Sequence, residues 1–596
     1  MKKYFFITGL LIIIILYTAC FYKHDTVTPE NKIAQTLVAQ VDSFVIAKNK
    51  LLAAAQKDAS EAELQNLFLK TRIAYKKFEW AAEYFTPTTS KLINGPPVQE
   101  IEADGQIIEP AGLQVIETFL FPKYDTSHKK DLLQQLTLLQ KDCNKYKLYF
   151  NNIGIFDWQV FDASKLEIFR IETSGITGFD DPLTLKSVQE SSASIESVQR
   201  VMSHYIDEKD TANLLEKFDQ ANNYLINNTN FDSFNRAVFI TTYANSITTS
   251  ITNLEKKLQI HEITYNRLLQ QDAKTLFDTN TYNVNAYAPD TAYYISDKKI
   301  ALGKMLFSDP ILSTTGRRSC ATCHQSDKAF TDGVAKNTII NSASLLPRNT
   351  PTLLNAALQP SLFYDLRVNT LEDQSFTVIQ NEKEMHGNMQ AATNHLWHNK
   401  KYQQLFAAAF PKPNRIRIDT FEVMNAIGSY VRSLVLLNSR FDDYMRGNTT
   451  AMNEEELNGF NLFMGKAKCG TCHYMPLFNG TLPPRYIKAE TEVIGVPQAV
   501  GKNIIDSDMG RYTIVHVESQ KHAFKIVTVR NAALTAPYMH NGVFTTLEQV
   551  LDFYNKGGGT GLGIKIDNQT LPFDKLDLTK KESDEIIAFI KSLNSK

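Results

Sequence analysis

Two five-residue words, Cys320-Ala-Thr-Cys323-His324 and Cys469-Gly-Thr-Cys472-His473, hold the residues best suited to chemistry in this chain. Two thiols at this spacing add across the vinyl groups of a haem, and the histidine that follows is placed to ligate its iron. Cys-x-x-Cys alone is also a zinc or thiol-redox spacing, but a four-cysteine zinc site would leave both histidines without a role. Cys320, Cys323, Cys469 and Cys472 are therefore read as attachment thiols, and His324 and His473 as proximal iron ligands. Two covalently bound haem c groups imply redox work. Of six cysteines, only Cys20 and Cys143 remain, too few for a disulfide framework. Cys143 lies in a helical stretch, where a buried, chemically quiet thiol is expected.

Scaffolds must hold these words. Apolar residues recur at three and four along residues 31–269, as in Leu64, Leu67, Phe68, Ile73 and Phe78, the spacing of amphipathic helices. The pattern then stops in a stretch rich in Asn, Thr, Asp and Tyr, and residues 276–292 are read as a linker. A unit over residues 293–446 holds the first word, and a second over residues 447–596 holds the other. In the second unit Asn453 with Glu456 opens a helix running towards Cys469. Thr579 with Glu582 opens another, with Ile586, Ile587, Phe589, Ile590 and Leu593 along one stripe. A helix before the haem word and another at the end is the layout of a cytochrome c domain. The expected fold is mainly α, an N-terminal helical domain over residues 21–275 followed by two cytochrome c-like haem domains. Beyond the two haem words no internal repeat is evident.

The chain starts with Lys2 and Lys3, an apolar run from Phe5 to Leu16, and Tyr17-Thr18-Ala19-Cys20. Residues 1–20 resemble a bacterial lipoprotein signal, with Cys20 as the lipid anchor to a membrane, although Tyr17 departs from the usual aliphatic residue. An uncleaved anchor is the alternative, and it is short for a bilayer span. Either places the rest in the periplasm or cell envelope. At 596 residues and 43% apolar content the chain exceeds one core, and a net charge of -1 gives no reason to expect nucleic acid as a partner.

From Tyr293 to Lys596 the residues resemble the bacterial di-haem cytochrome c peroxidase and MauG family. The matching words begin with Leu302-Gly-Lys-x-Leu-Phe307-x-Asp309-x-x-Leu312-Ser313, Phe330-Thr-Asp-Gly333 and Arg348-Asn-Thr-Pro351. They continue with Leu371-Glu-Asp-Gln374, Glu384-Met385, and Val529-Arg-Asn531 through Pro537-Tyr-Met-His-Asn-Gly542. The resemblance implies a peroxidatic first haem and an electron-transfer second haem. It puts Glu384 at the distal acid-base position and Gln374 at its polar neighbour. No histidine lies between Gln325 and Ser344, which resembles members that keep the first site open, while His386 is a further candidate for the distal pocket. Counting from His540 places the second haem's distal ligand at Tyr554, with Met539 as the alternative. Tyr364 replaces the tryptophan that the family usually has between the haems and becomes the electron relay. A Ca²⁺ site is implied at the Asn349 side chain and the Thr535 and Pro537 carbonyls. In the N-terminal part, Gly112-Leu-Gln114-Val-Ile-Glu117 is similar to the Gly-x-His-x-x-Glu word of imelysin-like domains, with glutamine in place of histidine.

Three functions are open at this point. The first is a peroxidase reducing hydrogen peroxide with electrons from a small cytochrome or other periplasmic donor. The second is a MauG-like enzyme oxidising a protein, and the third is a non-enzymatic electron carrier.

Overall fold

The computed structural model describes residues 28–101, 106–206, 211–261, 263–572 and 574–596. Residues 1–20 and Cys20, the expected signal and anchor, lie outside the described residues. The chain is mainly helical; among the described residues its named strands form two short antiparallel pairs, Glu100–Ile101 with Ile107–Ile108 and Thr491–Glu492 with Phe524–Lys525.

The N-terminal helices start as their sequences require. Pro29 opens Pro29–Gln56 in its first turn, where the missing N–H costs nothing, and the Ser60 side chain accepts from Glu63 N at the head of Glu61–Lys76. Ile33, Leu37, Val41, Phe44 and Leu51 bury one stripe of the first helix, each contributing roughly 1.5–3 kcal/mol. Several of the charges buried here are paired. Arg72 and Glu190 bond twice, at 2.5 and 2.7 Å, and Asp180 joins Lys76 at 2.6 Å and Arg170 at 2.7 Å. Leu276 and Phe277, at the start of the stretch expected to be a linker, are buried.

One apolar core runs from Ile33 through Phe277 into the second haem unit as far as Leu593, and takes in Phe441 and Met445 of helix Arg440–Met445. The first haem unit keeps two clusters of its own. Contacts between the N-terminal part and the second unit are close. The Phe179 and Tyr474 rings meet edge-on at 5.7 Å, the Asn461 side chain accepts from Arg236 N at 2.8 Å, and Lys488 bonds Glu100 at 2.6 Å.

The two haem units repeat more than their haem words. Helix Asp297–Ser308 crosses Thr420–Arg432 at Gly303, where a Cβ would stand 1.9 Å from the Ala426 carbonyl oxygen. Helix Glu454–Met464 crosses Lys580–Ser592 at Gly459, where a Cβ would stand 1.9 Å from the Glu585 carbonyl oxygen. Four residues on, Phe307 lies 6.5 Å from His324 and Phe463 lies 6.3 Å from His473. Asn355-Ala-Ala-Leu358 and Asn531-Ala-Ala-Leu534 repeat likewise, each opening a 3-10 turn from a left-handed asparagine. The Asn355 amide oxygen accepts from Leu436 N, and that of Asn531 from Ser595 N. The expectation of no repeat beyond the haem words is therefore corrected: Gly-x-x-Leu-Phe and Asn-Ala-Ala-Leu recur in both units, with the same spacing role and backbone shape.

Candidate active site: two adjoining chambers

Each haem word lies on the wall of a chamber. Cys320 to Cys323 form one helical turn capped by Ser319, whose N–H bonds the Thr322 hydroxyl at 3.0 Å; Cys469 to Thr471 form a 3-10 turn entered through Lys468 in the left-handed region. Both turns aim their cysteines inward, and the first chamber measures about 760 Å³, the second about 1000 Å³.

The histidines are prepared alike. His324 Nδ1 lies 3.0 Å from the Phe330 carbonyl oxygen and His473 Nδ1 lies 3.3 Å from that of Phe478. A carbonyl only accepts, so Nδ1 must carry the proton and Nε2 keeps its lone pair. Burial pushes both imidazoles down, His473 to about 4, which keeps them neutral. Burial raises the thiols, Cys320 and Cys469 to about 12 and Cys323 to about 11, as suits sulfurs set in apolar walls. Neutral imidazoles with a free Nε2, paired sulfurs and chambers of this size fit two covalent haem c groups.

The first chamber gathers Cys320, Cys323, His324, Gln374, Glu384 and Tyr364. Gln374 comes from helix Leu371–Gln380, capped by the Thr370 hydroxyl, and Glu384 from the turn that follows. Asn381 Nδ2 donates to Glu384 Oε1 at 2.7 Å, and Arg318 Nη1 holds the Glu384 carbonyl at 3.1 Å. Burial raises the Glu384 carboxyl above its ordinary value, against the pull of Arg367, Asn381 and Arg318. Among the described residues His324 is the one histidine on this wall. His386 is exposed, at φ +47°, and lies outside it.

The second chamber gathers Cys469, Cys472, His473, Tyr554 and Met539. Tyr554 stands near the end of helix Leu547–Asn555, and burial, with Cys469, Cys472 and Glu492 nearby, raises its phenol out of the physiological range. Met539 lies at φ +71° in the turn before Gly542. Both ligand candidates thus border the same space.

Asn349, Thr350, Pro351 and Tyr364 line both chambers. Burial, against the field of Arg348 and helped by that of Asp332, raises the Tyr364 phenol, and no side chain among the described residues bonds its hydroxyl. Of the residues expected at calcium, Thr535 and Pro537 line the second chamber with Asn349. Asn349 Nδ2 donates to Val334 O at 3.0 Å and Ala335 O at 3.3 Å, and its main-chain N–H to His540 O at 2.7 Å. The three oxygens include no carboxylate, a sparse set for Ca²⁺. Gln114 Nε2 bonds Asn94 O at 2.8 Å, and Glu117 Oε1 accepts from Thr184 N at 2.8 Å. The imelysin-like word is therefore tied to main chain.

Sequence reasoning missed several lining residues. Trp80, Arg170 and Phe179 bring the N-terminal helices to the wall of the second chamber, and Gln359, Arg511 and Lys525 line it as well. None carried a motif signal, because each reaches the wall through tertiary packing.

The family described as di-haem cytochrome c peroxidase matches residues 297–450. A cytochrome-c peroxidase, IdrP2, of Pseudomonas sp. (strain SCT) is 32% identical over half of this chain and 81% of its own length. The methylamine utilization protein MauG of Methylorubrum extorquens is 31% identical over half of this chain and 79% of its own. Among solved structures, a MauG-like protein associated with microbial copper homeostasis is 28% identical, with a TM-score of 0.47, covering 52% of this chain and 92% of that one.

Proposed function

The chain belongs, through its C-terminal half, to the di-haem cytochrome c peroxidase family, and on that premise we propose that it reduces hydrogen peroxide to water in the first chamber. In this reading two cytochrome c-like haem domains follow an N-terminal helical domain. Electrons come from a small periplasmic cytochrome or similar donor and enter through the second haem. The observation that carries the reading is the placement of Glu384 and Gln374 on one wall with Cys320, Cys323 and a neutral His324.

A haem in each chamber supplies an iron that binds peroxide or accepts and passes electrons. The remaining work is done by side chains. The Phe330 carbonyl fixes the His324 proton on Nδ1, so Nε2 faces the chamber. Glu384, as carboxylate, takes a proton from the inner peroxide oxygen and returns it to the outer one, which leaves as water. Asn381 holds Oε1 in place meanwhile, and Gln374 orients the peroxide. The sum is one peroxide, two electrons and two protons giving two waters. Tyr364, on both walls, carries the electron path between the chambers. The Asn349, Thr535 and Pro537 oxygens would hold Ca²⁺ only with water filling most of its coordination sphere. Lipidation at Cys20 would tether the protein to a membrane; among the described residues no helix is long and apolar enough to cross one.

A MauG-like reaction is the second reading, favoured by Tyr554 on the second wall and by the absence of a second histidine from the first. Peroxide consumption with a reduced cytochrome, compared with oxidation of a periplasmic protein in the same assay, separates the two. A protein that reacts with neither is a carrier, and the proposal is then wrong.

A further inference from the structure

Among the described residues, two cations on the wall of the second chamber form no direct ion pair with a carboxylate; the field of Glu490 reaches Arg511, but Glu490 is held by Lys488. Lys525 lies in strand Phe524–Lys525 opposite Thr491, and its Nζ donates to Gln359 Oε1 at 2.8 Å. Arg511 Nη1 donates to the carbonyl oxygens of Asp365 at 2.9 Å and Leu366 at 3.4 Å. Asp365 is the acid whose field reaches both, but Arg348 already holds it at 2.6 Å and Arg367 at 2.8 Å. On the same wall Lys488 pairs with Glu100 and Glu490, and Arg170 with Asp180. Burial depresses both unpaired groups, Lys525 to about 8. A partly buried cation without a counter-charge is unfavourable. Two of them on one wall call for an anion that enters the chamber.

Their positions say where that anion sits. The Lys525 main-chain N–H donates to the Tyr364 carbonyl at 2.7 Å, and Arg511 grips the next two carbonyls, so both cations are fastened to the segment between the chambers. A haem held at its vinyl groups by Cys469 and Cys472 brings two carboxylates, its propionates, on another edge. We infer that Lys525 and Arg511, with Gln359, clamp the propionate edge of the second haem against the Tyr364 segment and so tune that haem's reduction potential. The inference rests on the reading that the second chamber holds a covalent haem. Both residues are positioning residues: they act on the haem through its carboxylates and touch neither peroxide nor iron. A nearby positive charge favours the reduced iron, so losing it lowers the potential.

The test is a spectroelectrochemical titration of both haems in the full-length holoprotein, for Lys525→Met, Lys525→Arg and Lys525→Met with Arg511→Met. In the double variant, at the wild-type midpoint of the second haem, the ferrous-to-ferric ratio should fall roughly tenfold, or about 59 mV for one electron. Lys525→Met alone should give a smaller shift in the same direction, Lys525→Arg should restore the wild-type value, and the first haem should not move. An unmoved second haem in Lys525→Met, or equal shifts in both haems, overturns the clamp. A wild-type midpoint that changes with inorganic phosphate shows an exchangeable anion and also overturns it. A pyridine haemochrome count below two haems per chain refutes instead the reading on which the clamp rests.

Discussion

Changing Glu384 to Gln removes a proton carrier and leaves almost everything around it in place. The amide keeps the carboxyl's shape, Asn381 can still donate to the retained oxygen at 2.7 Å, and Arg318 holds the main-chain carbonyl rather than the side chain. Burial raises the folded-state pKa of Glu384 above 4.5, so the ionised group costs the folded state free energy at pH above that raised value. The amide removes this cost. Stability at neutral pH should therefore hold or rise slightly, and lost activity cannot be ascribed to unfolding. Positioned proton transfer contributes about 10²–10⁴ in rate, which at about 1.36 kcal/mol per tenfold is roughly 2.7–5.4 kcal/mol of barrier. The assay is peroxide consumption with a reduced donor, followed as kcat/KM from about pH 4 to about pH 8, across the carboxylate range. Wild-type activity should fall as the pH drops through the raised pKa, because the carboxylate is the working form. In Glu384→Gln the rate should drop by the stated factor and that acid limb should vanish. A variant retaining more than about a tenth of wild-type kcat/KM, below the 10² floor for such a group, or an acid limb with an unchanged midpoint, would refute the assignment.

Other outcomes follow from the same geometry. Tyr554→Phe should alter the electronic absorption and magnetic resonance of the second haem while Met539→Leu leaves them unchanged; the reverse pattern would give the ligand role to Met539. Tyr364→Trp should preserve electron transfer between the haems and Tyr364→Ala should slow it, read by single-turnover reoxidation of the second haem; equal rates would remove Tyr364 from the path. Gly459→Ala puts a methyl group 1.9 Å from the Glu585 carbonyl oxygen and should destabilise the second unit by more than about 3 kcal/mol, the upper end of ordinary overpacking, in a denaturant titration. Gly303→Ala should do the same to the first unit, where the obstacle is the Ala426 carbonyl.

The haem words were legible because covalent attachment fixes residue type and spacing together, and both words do line chambers. Gln374 and Glu384 were legible only through the family resemblance: an isolated glutamate after a helix has no signature, and the structure is what sets it on the wall with His324. Helix starts at Asn453 and Thr579 could be read from their capping pairs, which form as expected. The second repeat is written in the sequence, as two Gly-x-x-Leu-Phe words and two Asn-Ala-Ala-Leu words, but the helix crossing that requires Gly303 and Gly459 could not be read there. Nor could the partnership between the N-terminal helices and the second haem unit, because residues such as Phe179 and Tyr474 meet across a long stretch of chain. Lys525 and Arg511 carry no motif in the sequence; their place on the wall of the second chamber is what marks them.

The unbroken core from Ile33 to Leu593 has a bearing on how the molecule comes apart. Heating should divide it by packing and not by cofactor: the N-terminal helices, helix Arg440–Met445 and the second haem unit melt as one cooperative block, while the rest of the first unit, with its separate clusters, melts as another. A lesion deep among the N-terminal helices, remote from either iron, would then surface as a broken electron supply with the peroxide chamber still intact.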